Sequence, residues 1–139
     1  MKEQIFLDPN LFEFLILRGC SFDHCLEKLS EIQVCTFVSD VKALQEIVYR
    51  YHLMGETAVG YEKANALRHR IDILDITEKD IEIQESLLER YPNVQPRELL
   101  HTAVMIHHDI GKIACSPQSS YGQIEDIAVE NISSRLCHL

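Results

Sequence analysis

Length, composition and charge describe one acidic domain. The chain has 139 residues, of which 46% are hydrophobic and 25% charged, and its formal net charge is −9. A chain of this size and polarity can fold around one hydrophobic core. The negative charge argues against a broad, sequence-independent grip on nucleic acid, which needs a basic face. It still permits an acidic pocket that reaches a phosphate through a bound cation.

The sequence shows neither a membrane-spanning segment nor a signal peptide. The longest apolar run, residues 11–17, contains Glu13 and is too short to cross a bilayer, and the N-terminus lacks the basic-then-apolar design of a signal peptide. We therefore expect a cytoplasmic protein without membrane contact.

An odd number of cysteines with no C-x-x-C pair favours reduced, mostly buried thiols over a zinc knuckle or a disulfide framework: Cys20, Cys25, Cys35, Cys115 and Cys137.

The first half of the chain alternates apolar runs with helical patterns. It begins with IFLDPN, a strand-like run that ends on Asp8. Residues 10–17 predict a short helix, and Ser21 can cap a second one. The β-branched run IQVCTFV, residues 32–38, predicts a strand that ends at Ser39, a natural N-cap. Apolar residues at helical spacing then mark a buried seam: Val41, Leu44, Val48 and Tyr51.

The second half continues this alternation. We predict helices over residues 56–69 and 77–91, a helix from residue 96, and strands over residues 71–76, 113–115 and 124–129. Thr77 can cap its helix together with Asp80, and Pro96 suits a first helical turn. A turn around Gly111 closes the Pro96 helix. We assign residues 1–129 to one domain and residues 130–139 to a tail without predicted structure.

Strands separated by helices long enough for crossovers indicate a three-layer α/β/α fold with a mostly parallel central sheet flanked by helices. In such folds the ligand site lies outside the carboxyl ends of the strands. Asp8, Ser39 and Ser116 follow predicted strands and stand at such ends. We therefore expect a functional site at this edge of the sheet.

Three acidic residues at element junctions are candidates for one site: Asp8, Glu46 and Glu98. Clustered carboxylates repel one another and raise one another's pKa unless a cation neutralises them. Oxygen ligands are those that Mg²⁺ and Mn²⁺ prefer. If the sheet brings these acids together, they form a divalent-metal site.

Each acid also has a structural alternative. Asp8 could cap the next helix, since Asp is a leading cap residue. Glu46 lies four residues from both Lys42 and Arg50, which would make a solvated ion-pair face. Glu98 stands in the first turn of its helix, where a negative charge contributes about 0.3 to 1 kcal/mol. Glu98 and His101 also form an E-x-x-H pair, half of the di-iron motif, although packing or a local hydrogen bond is the simpler interpretation of His101.

Four blocks in order carry a family resemblance: IFLDPNLFEFLI, FVSDVKALQEIVYRY, PRELLHTAVMIHHDIGKIACS and SPQSSYGQIEDI. Together they resemble the PIN domain family, over about residues 5–127. The family's first acid falls on Asp8, its Glu on Glu46, and its third acid, usually Asp, on Glu98. In the fourth block Tyr121 matches the family's aromatic residue, but Gln118 occupies the position of an Asp.

The resemblance implies a nuclease that cuts single-stranded RNA with Mg²⁺ or Mn²⁺ held by Asp8, Glu46 and Glu98. Many small PIN domains are the toxin half of VapBC-type toxin–antitoxin pairs and form dimers, so an antitoxin protein and a second copy are expected partners. The residues expected to support the ligands without holding the metal are Asn10, Ser39, Ser116 and Gln118. Arg97 and Lys42 are the basic residues expected to contact RNA.

Gln118 leaves a second hypothesis open. An amide brings no charge, so a second metal would be held less tightly. The chain could then be a catalytically weak or inactive PIN-fold module that acts through RNA or protein binding. A third interpretation is an unrelated α/β binding domain, in which the three acids would lie far apart.

Overall fold

The computed structural model describes residues 2–137. Its strands are β1 (Glu3–Leu7), β2 (Cys35–Asp40), β3 (Asp72–Leu74), β4 (Lys112–Ala114) and β5 (Ala128–Glu130). Its α-helices are α1 (Asn10–Ile16), α2 (Phe22–Glu31), α3 (Val41–Leu53), α4 (Thr57–Arg68), α5 (Glu78–Arg90), α6 (Pro96–His107) and α7 (Ser133–Leu136). A short 3₁₀ turn covers Tyr121–Gln123.

The strands form one sheet in the order β3-β2-β1-β4-β5, in which every neighbouring pair is parallel. This confirms the predicted α/β/α fold. The chain moves outward from β1 to β3 and then crosses to β4 on the other side of β1. The carboxyl ends of β1 and β4 therefore flank a topological switch point, where folds of this kind bind ligands.

The core lies on both faces of the sheet because side chains alternate along a buried strand. Ile5 and Leu7 of β1 pack with apolar residues of α1 to α4 and α7. Phe6 points to the opposite face, where it packs with residues of α5 and α6. This two-sided burial explains why the central strand reads as a continuous apolar run.

The second strand begins and ends later than predicted. Ile32 is the C-cap of α2, and β2 runs from Cys35 to Asp40, so Ser39 lies within the strand. The Ser39 hydroxyl donates to the Leu7 carbonyl at 2.8 Å. Asp40 takes the capping role instead, because its Oδ1 accepts the Ala43 N–H at 2.9 Å. The prediction of Ser39 as the cap of α3 is therefore wrong by one residue.

The last strand and one turn also differ from the predictions. Residues Ile124 and Ile127 pack into the core beside the 3₁₀ turn, so the ladder begins only at Ala128, which pairs with Lys112. After α6 the left-handed backbone conformation falls on Asp109, with φ of 55°. Asp tolerates this conformation better than most residues, and Gly111 is not the residue that needs it.

Several predicted helix starts are confirmed. The Ser21 hydroxyl accepts the His24 N–H at the start of α2, and Pro96 is in the first turn of α6. At the start of α5, the Thr77 N–H donates to Asp80 Oδ2 at 2.8 Å. Within residues 2–137 no helix has the length and apolar character that a membrane span requires.

The segment that we assigned to a tail packs on the domain as far as residue 137. Its short helix α7 lies against α2, and Ile132 and Leu136 belong to the core on that face of the sheet. Cys137 is joined to Cys20 by a disulfide, with Cα atoms 6.3 Å apart. The prediction of five reduced thiols is therefore wrong for this pair, whose sequence separation of 117 gives no spacing signal. The other three cysteines are free and buried.

Candidate metal centre

Asp8 is the acid at the carboxyl end of β1, and it is fully buried. Its N–H donates to the Ala114 carbonyl at 2.9 Å, which fixes it beside β4. Its Oδ1 accepts a hydrogen bond from Arg97 Nη2 at 2.6 Å, whereas its buried Oδ2 has no partner among residues 2–137. Helix α1 takes Pro9 as its N-cap without a side-chain bond. Asp8 is therefore paired with a cation and does not cap the helix.

Glu46 approaches Asp8 from α3, and Arg97 of α6 bridges the two acids. Arg97 donates to Glu46 from Nε at 3.1 Å and from Nη2 at 2.8 Å. Lys42 Nζ lies 3.5 Å from Glu46 Oε1, so that half of the predicted ion-pair face is present. Arg50 pairs with Glu13 instead. The fold thus brings Asp8 and Glu46 together around one guanidinium.

His101 lies one turn after Arg97 on α6 and is fully buried beside the same acids. Its Nδ1 is 2.6 Å from Asp40 Oδ2, and its Nε2 is 3.3 and 3.4 Å from the two Glu46 oxygens. The ring therefore connects the acid that caps α3 to an acid two turns further along that helix. His101 does more than pack, because both of its nitrogens face carboxylates.

Arg97 and His101 bring positive charge to the buried acids of this cluster. Burial would lower the pKa of His101, but its hydrogen bonds with Asp40 and Glu46 raise that pKa to about 9. Burial would raise the pKa of Glu46, but its hydrogen bonds with His101 and Arg97 lower that pKa to about 2. For Asp8, burial outweighs the attraction of Arg97 and raises the pKa. Asp8 is therefore the carboxylate whose charge is less well compensated.

Glu98, the third predicted acid, is buried on α6 but turns toward a different partner. Its Oε2 accepts the Ser120 N–H at 3.0 Å, in the loop after β4. The groups close enough to share one ion are instead Asp8, Glu46 and His101, whose ligand atoms lie within 4.8 Å of one another. The two residues of the E-x-x-H pair therefore have different partners: Glu98 accepts from the Ser120 N–H, and His101 contacts Asp40 and Glu46.

An open cleft of about 340 Å³ lies beside the cluster, with Arg97 and Glu98 in its wall. Three of the predicted supporting residues also line it: Asn10, Ser116 and Gln118. The Ser116 hydroxyl accepts the Gln118 N–H at 3.1 Å, and the Gln118 side chain is exposed. Ser39 is not among the lining residues of this cleft, and its hydroxyl is bound to the backbone of β1.

The donor set suits a divalent cation. It offers carboxylate oxygens from Asp8 and Glu46 and one imidazole nitrogen, a combination that divalent metals accept. A buried carboxylate oxygen without a partner is costly, and Asp8 Oδ2 is such an atom within the described chain. A cation that took both acids would compete with Arg97 for their oxygens.

Sequence reasoning missed the roles of Asp40 and His101 in this cluster. Asp40 was overlooked because the strand was predicted to end one residue early, which gave the cap to Ser39. A signal for His101 existed in its i, i+4 spacing from Arg97, since such residues share a helix face. This spacing predicts that Arg97 and His101 approach the same acids.

Comparisons with known proteins agree with this fold. No protein-family model matches the chain. Ribonuclease VapC13 of Mycobacterium tuberculosis is 30% identical to it, over 78% of this chain and 86% of the relative. A DNA-bound VapBC structure from Salmonella typhimurium has a TM-score of 0.71 at 16% identity, over 99% of this chain and all of that chain. VapBC-1 from nontypeable Haemophilus influenzae has the same TM-score at 11% identity, over 92% of this chain and 97% of that chain.

The α/β/α fold of this domain is thus shared with solved VapBC structures. The chain belongs to the VapC ribonuclease family of PIN domains.

Proposed function

We propose that this chain is a divalent-metal-dependent endoribonuclease that hydrolyses phosphodiester bonds of single-stranded RNA. Membership of a family whose relatives are named ribonucleases supports the reaction class. The observation that carries the proposal is the meeting of Asp8 and Glu46 at the switch point, where Asp8 Oδ2 is buried without a partner in residues 2–137.

Asp8 and Glu46 would hold Mg²⁺ or Mn²⁺, and we propose that Glu98 contributes from the adjoining wall of the cleft. The ion, when bound, supplies Lewis-acid activation of a water and stabilises charge on the phosphate. Ser116 and Asn10 would support the metal ligands without binding the metal themselves. Lys42, which is partly exposed beside Glu46, would contact a phosphate of the RNA.

We further propose that the chain is the toxin of a toxin–antitoxin pair, with an antitoxin protein and a second copy of itself as partners, and that it acts in the cytoplasm. This assignment is supported by a solved structure of the same fold, a toxin–antitoxin complex from Klebsiella pneumoniae, with a TM-score of 0.62 at 10% identity over 89% of this chain and 95% of that chain. Light scattering of the purified chain, alone and with the product of a neighbouring gene, would test both partners.

The nuclease proposal is tested by cleavage of single-stranded RNA during a titration with Mn²⁺. The wild type should cut the RNA in a metal-dependent manner. Asp8→Asn, which keeps the shape of the side chain but removes its charge, should lower the rate at least 100-fold if one ligand carries about 3 kcal/mol of transition-state stabilisation. Asp75→Asn serves as the matched control, because Asp75 is exposed and belongs neither to the cluster nor to the lining of the cleft.

Equal cleavage by wild type and Asp8→Asn would exclude the mechanism. Cleavage that persists in EDTA would also exclude it, because the acids would then act without a metal. Loss of activity in Asp75→Asn as well would point to unfolding of the variants, which circular dichroism detects.

A second candidate function is a weakly catalytic module that acts by binding RNA or protein. It is favoured by Gln118, which stands at the position of the family's fourth acid and lines the cleft. Under this alternative, Gln118→Asp would create or greatly raise cleavage, whereas Gln123→Asp, outside the cleft lining, would not. Efficient cleavage by the wild type would exclude the alternative.

A further inference from the structure

We propose that His101 is a direct ligand of the cation and that Asp40 orients it, so the centre is a mixed nitrogen–oxygen site that favours Mn²⁺ over Mg²⁺. This inference rests on the proposed metal dependence and deepens it. The resemblance of the sequence motifs assigns acids alone to the metal, and neither Asp40 nor His101 follows from them.

The first support is the orientation of the imidazole. A metal-bound histidine almost always donates its other ring N–H to a carboxylate or carbonyl, which fixes the tautomer and raises the basicity of the coordinating nitrogen. His101 has this arrangement: Nδ1 is 2.6 Å from Asp40 Oδ2, and both side chains are fully buried. Nε2 is therefore the nitrogen that faces Glu46 and Asp8.

The second support is the spacing on the other side of the ring. The contacts from Nε2 to the Glu46 oxygens, at 3.3 and 3.4 Å, are long for a hydrogen bond to a charged group, which is normally about 2.7–2.9 Å. Two ligands at right angles, each about 2.1–2.2 Å from one ion, are roughly 3 Å apart. The observed separation is closer to that of two ligands of one cation than to that of a strong ion pair.

The third support is independent of His101. Asp8 Oδ2 is buried and has no hydrogen-bond partner in the part of the chain that the structure describes. Asp8 offers a ligand atom within 4.8 Å of those of Glu46 and His101. A cation that bound Asp8 through Oδ2 would satisfy the unpaired oxygen. It would also replace the proton between His101 and Glu46, and that proton would be released to solvent.

The nitrogen ligand has a consequence for the choice of metal. Mg²⁺ is a hard ion that favours oxygen ligands and keeps its waters, whereas imidazole suits transition metals. A site with one buried imidazole should therefore bind Mn²⁺ more tightly than Mg²⁺. The competing interpretation is that Arg97 and the protonated His101 neutralise Asp8 and Glu46 permanently. Neither acid would then bind a metal.

Electron spin-echo spectroscopy of Mn²⁺ bound to the full chain distinguishes these interpretations. Coordination by His101 predicts modulation from one directly bound ¹⁴N, which should disappear in His101→Gln. His108→Gln is the matched control, because His108 is exposed at the C-cap of the same helix and its replacement should leave the signal unchanged. The wild-type spectrum decides the question even if His101→Gln fails to fold.

Asp40→Asn tests the orienting role separately. Asn remains a good helix cap, so the bond to the Ala43 N–H can persist, but the anionic acceptor of the His101 N–H is lost. The expected result is a roughly 10–100-fold loss of Mn²⁺ affinity with native circular dichroism. Unchanged Mn²⁺ affinity would contradict the role of Asp40.

The outcomes separate this inference from the proposed function. Bound Mn²⁺ with no ¹⁴N modulation would overturn His101 as a ligand and leave a metal-dependent nuclease intact. Absence of Mn²⁺ binding by the wild type would overturn both. Equal affinity for Mg²⁺ and Mn²⁺ in the wild type would contradict the selectivity of the site.

Discussion

Asp8 shows at the residue scale how a buried carboxylate is accommodated at the end of a strand. Burial of an unpaired charge is costly, and Arg97 donates a hydrogen bond to only one of the two Asp8 oxygens. The same guanidinium also holds Glu46. Arg97 therefore keeps two repelling acids together in the absence of a metal, and any ion that takes their oxygens has to displace it.

Replacement of Arg97 should have opposite effects on folding and on metal binding. Arg97→Gln removes the cation that is paired with Asp8 and the guanidinium that holds Glu46, and it should lower the free energy of unfolding in EDTA by about 2–3 kcal/mol. This is less than for a fully buried pair, because 21% of the Arg97 side chain is exposed. Denaturation in saturating Mn²⁺ should show a smaller loss, and Mn²⁺ should bind more tightly to the variant than to the wild type.

Arg70→Gln is the control for this prediction, because Arg70 is exposed just after the end of α4 and its side chain donates to the Ala66 carbonyl, at 3.4 Å. It should change neither stability nor metal affinity. Weaker Mn²⁺ binding by Arg97→Gln would contradict the view that the guanidinium and the ion compete.

The acids of the cluster could be expected from the sequence, but their partners could not. Asp8 follows the apolar strand β1, and Glu46 lies in the helix that follows the neighbouring strand β2, so the topology alone brings them close. The pairing of Arg97 with both acids depends on how α6 crosses the sheet, which periodicity does not determine. Asp40 and His101 were missed because each has an ordinary structural interpretation, as a strand end and as a core histidine.

At the scale of elements, Asp80 ties the start of α5 to the end of α6. The backbone and hydroxyl of Thr77 both donate to its Oδ2, and His107 Nδ1 lies 2.8 Å from its Oδ1. The T-x-x-D spacing predicted the local part of this arrangement, because capping follows short-range sequence. It could not predict the bond to His107, which comes from the packing of α5 on α6.

The pKa of Asp80 makes this junction sensitive to acid. Burial would raise that pKa, but the hydrogen bonds from the Thr77 backbone and from His107 lower it below the ordinary value. A carboxyl whose folded pKa is below its unfolded pKa stabilises the fold above about pH 4 and loses that contribution as the pH falls through the folded pKa. Asp80→Asn should therefore cost about 1–3 kcal/mol at pH 7 and less at pH 3.

Urea denaturation of wild type and Asp80→Asn between pH 7 and pH 3 measures this difference. Asp75→Asn, at an exposed position, should follow the wild type at every pH. A stability difference that grows as the pH falls would show that the sign of the argument is wrong.

At the scale of the whole molecule, the parallel sheet was predictable because its inner strands are covered on both faces and read as apolar runs. Strand ends were less predictable because β3, β4 and β5 have only three residues each. In such short strands the pairing partner, and not the side-chain pattern, decides where the ladder begins. The packing of α7 on α2 was not predictable, because the residues that meet lie at opposite ends of the chain.

This packing predicts that the end of the chain contributes to stability. Leu136 is fully buried against the face formed by α2. Leu136→Ala should lower the free energy of unfolding by about 2–5 kcal/mol, because it leaves a cavity in the core. Denaturation under reducing conditions measures this without support from the Cys20–Cys137 bond.

Ser134→Ala, at an exposed position of the same helix, should change stability by no more than about 0.5 kcal/mol. If Leu136→Ala unfolds at the same urea concentration as Ser134→Ala, the packing of α7 contributes nothing to the domain.

The central claim is that Asp8 and Glu46 jointly hold one divalent cation, and anomalous diffraction from a crystal grown with Mn²⁺ tests it most directly. We expect an anomalous peak about 2.0–2.4 Å from a carboxylate oxygen of each residue, with the Arg97 side chain moved away from both. A crystal that contains Mn²⁺ but shows Arg97 still bridging the two acids, with no peak between them, would contradict the account.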